Sequence, residues 1–348
     1  MTATIFQLPL HFIKGAVTSR GTIDSKLHFF VVLAKEDGSI GVGECAPILG
    51  LTPEPLQEII DELMSSARLW ELGDLAIGDI RCSVVRAAFE MAIGGLSNNS
   101  PGIFFDHPDN FIFNINGLVW MNHSSVMLED ARALHENGFR CVKLKVDGKN
   151  PGHCTEVLKQ LRQQFSPEVL RIRLDANGSF AIQQALSLLD ELAAFSIDFI
   201  EQPIAKGNWN FLAEICRDSP IPIALDEELI GIESAADRED VLNSVHPAAI
   251  VLKPSLHGGF SSCEDWIERC THQGVDWWCT SYLESNLGLS ALAQWLSSRD
   301  NQQTHGLGTG RLYLQNFDIP ASIEAGTFKW SGRFFPTLES FPDIAKLC

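Results

Sequence analysis

Six charged side chains interrupt otherwise apolar stretches in the middle of the chain, and their order points to proton chemistry at a metal site. Lys143 and Lys145 stand two residues apart in Val142-Lys-Leu-Lys-Val146, so on a strand they point to one side. A solvated edge strand with outward lysines is the plain alternative. Val142, Leu144 and Val146, however, supply the apolar face that covering helices need, which turns the lysines into a barrel interior. Asp175, Glu201 and Asp226 follow in Leu174-Asp-Ala-Asn177, Phe199-Ile-Glu-Gln-Pro203 and Ala224-Leu-Asp-Glu-Glu228, at intervals of 26 and 25 residues. Each interval is one β/α unit. A lone Asp at a strand end commonly caps the next helix. Three carboxylates at successive strand ends instead converge and repel, which calls for a divalent cation with hard oxygen ligands, Mg2+ or Mn2+. Lys253 ends the strand Ile250-Val-Leu-Lys-Pro254, 27 residues further on, and faces Lys145 from the opposite wall. Two lysines flanking the trio make an acid/base apparatus, provided the metal and each other lower their pKa from about 10.4.

The elements that position these groups are read from periodicity. Strands are expected at Phe111–Leu118, Cys141–Val146, Leu170–Leu174, Phe199–Glu201, Pro222–Leu225, Ala249–Leu252, Val275–Thr280 and Thr304–Leu307. Between them lie segments of helical period, the clearest with Ile182, Ala185, Leu186, Leu189, Leu192 and Ala193 on one face. About eight strands alternating with helices predict an α/β fold, a TIM-like (β/α) barrel. An open doubly wound sheet is disfavoured, because no G-x-G-x-x-G follows the first strand. The first hundred residues read as an α+β module. Phe29–Leu33 and Ile40–Val42 flank the turn Glu36-Asp37-Gly38-Ser39, Pro55–Leu63 and Val84–Ile93 look helical, and Leu96–His107 is the expected linker. The domains are thus placed at 1–105 for a capping module and 106–323 for the barrel.

The chain has 348 residues, 26 Lys+Arg against 44 Asp+Glu, and a formal charge of −18. Such acidity argues against nucleic acid and anionic membrane partners. Nine cysteines with no C-x-x-C pair suit free thiols in a reducing cytoplasm. The start lacks a signal-peptide pattern, and no apolar run reaches the roughly 18 residues of a membrane span. The eight tryptophans read as core filler, and the ten histidines show no metal-binding spacing.

The ordered set K-x-K, D-x-N, E-Q-P, D-E and K-P resembles the enolase superfamily, in the branch with a lysine on each side of the site, whose lysine-plus-Mg2+ chemistry is a known pattern. Ser83-Val-Val-Arg-Ala-Ala-Phe-Glu-Met-Ala92 is similar to the helix that closes its capping domain. Within the superfamily, five stretches resemble o-succinylbenzoate synthases: Thr18-Ser-Arg-Gly21, Gly43-Glu-Cys45 with Gly50-Leu-Thr52, Lys253 to Phe260, Thr280 to Ser290, and Gly306-Leu-Gly-Thr-Gly310. The last carries Gly-Thr-Gly where an Asp-x-Asp would mark other branches.

The resemblance implies a barrel of (β/α)7β type, a cap completed by residues 324–348, and a cytoplasmic lyase of menaquinone biosynthesis acting on a small dicarboxylate. It implies Asp175, Glu201 and Asp226 as metal ligands, Lys145 as the base, Lys253 as a cationic stabiliser and Lys143 as a supporting donor. Asn177 would support the ligands, Arg20 would contact the succinyl carboxylate, and Ser281, Gly308, Thr309 and Gly310 would line the pocket. The alternatives on the same scaffold are a dipeptide epimerase, an N-acylamino-acid racemase or a muconate cycloisomerase. A non-catalytic acidic barrel is the remaining alternative. Monomer and homo-oligomer are both left open by the sequence.

Overall fold

The structure, a computed structural model, describes residues 1–18, 21–299 and 302–348. The chain opens with three antiparallel strands, β1 (Thr2–Thr18), β2 (Gly21–Ala34) and β3 (Ile40–Cys45). The Asp-Gly signal holds: Gly38 turns at φ +86°, and Lys35 and Ser39 pair across the hairpin. Helices α1 (Leu56–Leu72) and α2 (Ser83–Ser97) follow. Phe29, Val31 and Leu33 meet Ile59, Leu63, Val85 and Phe89 in a core of their own. Strand β3 lies directly on α2, because a Cβ at Gly41 or Gly43 would fall 1.8 Å from the carbonyl oxygen of Ala92 or Ala88.

Strand β4 (Asn110–Asn114) precedes the parallel sheet. The sheet contains β5 (Gly117–Val119), β6 (Cys141–Lys145), β7 (Arg171–Asp175), β8 (Phe199–Glu201), β9 (Ile223–Leu225), β10 (Ala249–Leu252) and β11 (Asp276–Cys279), side by side in chain order. Between and after them run α3 (Ser124–Glu136), α4 (Pro151–Gln164), α5 (Ile182–Ala193), α6 (Trp209–Asp218), α7 (Ala235–Val245), α8 (Gly259–Gln273) and α9 (Asn286–Ser297). The expected strand Thr304–Leu307 forms no regular strand, but it closes the ring. His305 bridges Ile115 on one side, and Gly306 bridges Thr280 on the other. A single 3-10 turn, Gly308–Arg311, follows in place of a helix. The architecture is therefore (β/α)7β.

The expected strand Phe111–Leu118 splits in two. The amides of Ile115 and Asn116 bond to the carbonyls of Gly326 and His305, so the chain changes sheets there. Strand β4 pairs instead with β13 (Thr327–Ser331), which pairs with β12 (Ala321–Glu324). The linker is fastened as well: Gln294 of α9 accepts from the Phe104 amide and donates to the Gly102 carbonyl, each at 2.8 Å. Strand β14 (Ala345–Lys346) adds to β1 at Phe6 and Gln7.

Strand alternation sorts the barrel into two faces. Val142, Leu144, Ile172, Leu174 and Ile200 join the helix-covered outer core. Inside, Phe199, Ala224, Ala249, Val251 and Trp278 form a separate cluster. The buried Arg173 guanidinium lies 4.2 Å from the Trp278 ring centre and donates to Asp198, Gln303 and the Thr304 carbonyl. Among the described residues, no helix is long and apolar enough to cross a membrane.

Candidate active site

The parallel register sets the site. Lys143 pairs with Arg173, Lys145 with Asp175, and Asp175 with Glu201, so inward residues at the C-terminal strand ends sit level. Asp226 follows β9, and Lys253 follows β10. One carboxylate oxygen from each of Asp175, Glu201 and Asp226 lies within 4.8 Å of the others. All three side chains are buried, with exposures of 1%, 0% and 2%.

Each lysine holds one of these carboxylates. Lys143 Nζ donates to both oxygens of Glu201, at 2.9 and 3.1 Å, and stands 3.3 Å from Asp175 Oδ2. Lys145 Nζ lies 2.5 Å from Asp175 Oδ2 and 2.9 Å from Asn177 Oδ1. Lys253 Nζ contacts both oxygens of Asp226. The three expected ligands and three expected lysines are therefore one cluster.

Among the protein's own charges, Lys143 and Lys253 are held above the ordinary lysine value. Burial works to lower both. Glu201 and Asp175 outweigh it at Lys143, and Asp226 and Glu227 outweigh it at Lys253. At Lys253 the repulsion from Lys143 is the smaller effect, because its ammonium has the Asp226 carboxylate within hydrogen-bonding reach. Burial also works to raise Asp175, but Lys145 and Lys143 hold its carboxyl below the usual range. At Glu201, burial dominates. Reinforced by Asp175 and Asp226 and only partly opposed by Lys143, it pushes the carboxyl up to about 7. Three converging hard oxygens, one of them on a carboxylate this costly to ionise, suit a divalent cation such as Mg2+ or Mn2+.

A support layer fixes the ligands. Asn177 adopts φ +45°, a conformation Asn tolerates, accepts from Lys145 and donates to Glu227 at 2.9 Å. Gln202, which sequence reasoning missed, does more. Its side-chain oxygen accepts from the amides of Asp226 at 3.3 Å and Glu228 at 3.0 Å, while its nitrogen donates to Glu228 at 3.1 Å. The available signal was the Gln of Glu-Gln-Pro, a polar residue at a buried strand end. His257, likewise missed, accepts from the Lys253 amide at 3.1 Å and is pulled down to about 3 by burial.

Above the cluster opens a cavity of about 370 Å3 with Lys143, Lys145, Lys253, Asp175 and Asp226 in its wall. Gly308, Thr309 and Ser281 line it as expected. The Ser281 hydroxyl, however, donates to Glu284 at 2.7 Å and accepts from the Leu283 amide. Gly310 departs from expectation: it faces α9, where a Cβ would lie 2.8 Å from Asn286 Oδ1, and it is not part of the cavity wall. Arg20 lies outside the described residues. The cap adds Ile23, Ile48, Leu49 and Leu51 to the lining, and the barrel adds further apolar side chains, Trp120, Phe139 and Tyr282 among them.

Comparison with known proteins agrees with this geometry. Residues 126–331 match the family model described as enolase C-terminal domain-like. The chain is 36% identical to an o-succinylbenzoate synthase of Desulfotalea psychrophila, over 91% of this chain and 95% of the relative. The crystal structure of MenC from Desulfotalea psychrophila superposes with a TM-score of 0.83 at 35% identity, covering 94% of this chain and 99% of that one. A dipeptide epimerase from Cytophaga hutchinsonii, complexed with Mg and the dipeptide D-Ala-L-Val, shares the fold at TM-score 0.85 and 19% identity, over 100% and 99% of the two chains.

Proposed function

Because this chain belongs to the enolase superfamily, we propose that it is an o-succinylbenzoate synthase. In this reading it is a Mg2+-dependent lyase of menaquinone biosynthesis. It converts 2-succinyl-6-hydroxy-2,4-cyclohexadiene-1-carboxylate to o-succinylbenzoate and water. The relative at 36% identity over nearly its whole length supports the reaction.

Asp175, Glu201 and Asp226 would hold the metal, which when bound neutralises charge developing on the substrate carboxylate as the α-proton departs. Lys145 takes that proton, with Asn177 Oδ1 at 2.9 Å to orient the amine. The C–H electron pair forms the new ring double bond as the C–O bond to the β-hydroxyl breaks. Lys145 then gives its proton to the departing hydroxyl, so water leaves from one face. Lys253 remains an ammonium on the opposite wall and stabilises charge beside the ring. Lys143 keeps Glu201 and Asp175 in place.

The observation that carries this reading is the 36% identity to an o-succinylbenzoate synthase over 91% of this chain and 95% of the relative. One base and one cation suit an elimination, whereas a racemase needs two bases. Residues 306–312 also carry no acid that would hold a substrate amine.

Purified protein with Mg2+ should convert the cyclohexadiene carboxylate to an aromatic product, followed by ultraviolet absorbance, and EDTA should stop it. No turnover, together with rapid α-proton exchange on an N-acylamino acid or dipeptide, would replace this reading with the racemase or epimerase one.

A further inference from the structure

Segment Ser281–Glu284 leaves the barrel at the cavity wall, and separate parts of the molecule are tied to it. Lys26, on β2 and 5% exposed, donates to the carbonyls of Tyr282 at 2.6 Å and Leu283 at 3.0 Å. Its ammonium also stands 5.0 Å from the centre of the Tyr282 ring. The Tyr282 hydroxyl meets Thr52 Oγ1 at 2.9 Å, and that oxygen also accepts from the Ile48 amide. Glu284 accepts from Ser281 and from Ser255, two residues past Lys253. Leu283 sits at φ +55°, a conformation a leucine holds only where its surroundings enforce it.

The turn Ile48–Thr52 is a partition. Leu49 and Leu51 line the reaction cavity on one side and a second cavity of about 580 Å3 on the other, with Asn177 and Glu227 bordering both. A buried ammonium is costly unless hydrogen-bonded. Drawing β2 away from residues 282–283 would take those carbonyls from Lys26, so cap strand and barrel segment are held together. Through Tyr282, the same contact reaches Thr52 and the partition.

We propose that Lys26 and Tyr282 are positioning residues that hold the Ile48–Thr52 partition closed over the reaction cavity, and so govern substrate retention rather than proton transfer. The kinetic part of this proposal rests on the dehydratase reading; the structural part does not.

Tyr282→Phe removes one hydroxyl, and Lys26→Met removes the charge at similar length. Hydrogen exchange of the intact protein, read by mass spectrometry, should quicken about fivefold in peptides covering residues 47–56, as for the loss of one hydrogen bond. Peptides from β6 to β8 should be unchanged. KM for the cyclohexadiene carboxylate should rise about fivefold or more while kcat stays within about threefold. Thr52→Val should reproduce the effect, and Thr52→Ser, which keeps the hydroxyl, should rescue it. Wild-type exchange in 47–56 for both Tyr282→Phe and Thr52→Val overturns the proposal, as does a fall in kcat that matches the loss in kcat/KM. If the wild-type protein turns over no cyclohexadiene carboxylate, the dehydratase reading fails while the exchange comparison still decides this one. If Lys26→Met does not fold, the Tyr282 and Thr52 variants carry the test.

Discussion

Glu44 of β3 accepts two hydrogen bonds from Ser285, from its amide at 2.8 Å and its hydroxyl at 2.6 Å, with both residues wholly buried. The carboxylate also takes the Gly288 amide at 2.7 Å and His28 Nδ1 at 2.6 Å. A cap residue thereby satisfies the open N-terminus of α9, beside the reaction cavity. Glu44→Ala should lose about 3 kcal/mol, since it strands buried donors, and urea denaturation would measure the loss. A variant as stable as wild type would show that the cap–barrel junction does not depend on this carboxylate.

Lys145 and Lys253 should separate by magnitude. Lys145→Ala, which removes the proposed base, should lower kcat by about 10³-fold. Lys253→Met, which removes the proposed charge stabiliser, should cost about 10²-fold. Steady-state assays at saturating substrate decide; near-normal kcat for Lys145→Ala would show that the base lies elsewhere.

Metal binding should raise thermal stability by mass action. Mg2+ should increase the Tm of the wild-type protein, with the increase reversed by EDTA. Asp226→Asn should weaken Mg2+ binding about tenfold or more in calorimetric titration. An unchanged affinity would remove Asp226 from the ligand set.

Gly43→Ala tests one of the close approaches of β3 to α2 in the cap. The added methyl would meet the Ala88 carbonyl at 1.8 Å, so β3 or α2 must move. Overpacking of this kind costs about 1–3 kcal/mol, readable as a lower denaturation midpoint.

Mild acid should destabilise the protein through His305. Burial, aided by Arg173, pulls His305 down to about 3 from 6.5. In that window the unfolded chain binds a proton that the folded one does not, so stability falls as pH falls from 6.5 toward 3. Between pH 7 and pH 5, His305 alone should cost about 2 kcal/mol. His305→Gln should flatten the stability–pH curve, and an unaltered slope would assign the acid sensitivity to other groups.

The charged site was legible because strand alternation and β/α repeat length are local properties. Two lysines at i and i+2 must share a face, and carboxylates one repeat apart must become neighbours. Features set by distant partners were not. Strand β1 carries Pro9, which argues against a paired strand, yet β14 pairs only at Phe6 and Gln7 and leaves Pro9 room at an edge. The break in Phe111–Leu118 depends on Gly326 and His305, nearly two hundred or more residues away. Gly310 looked like pocket lining because its neighbours are, but Asn286 decides its direction. Which ammonium reaches which carboxylate is decided by side-chain placement, and the spacing reveals only that they converge.

Arg173, Phe199 and Trp278 have one further consequence. They fill the barrel beneath the carboxylates, so the cavity is closed on its barrel side. Among the described residues, no passage runs from the cavity to the far end of the barrel, so whatever occupies it comes and goes on the side of the strand ends.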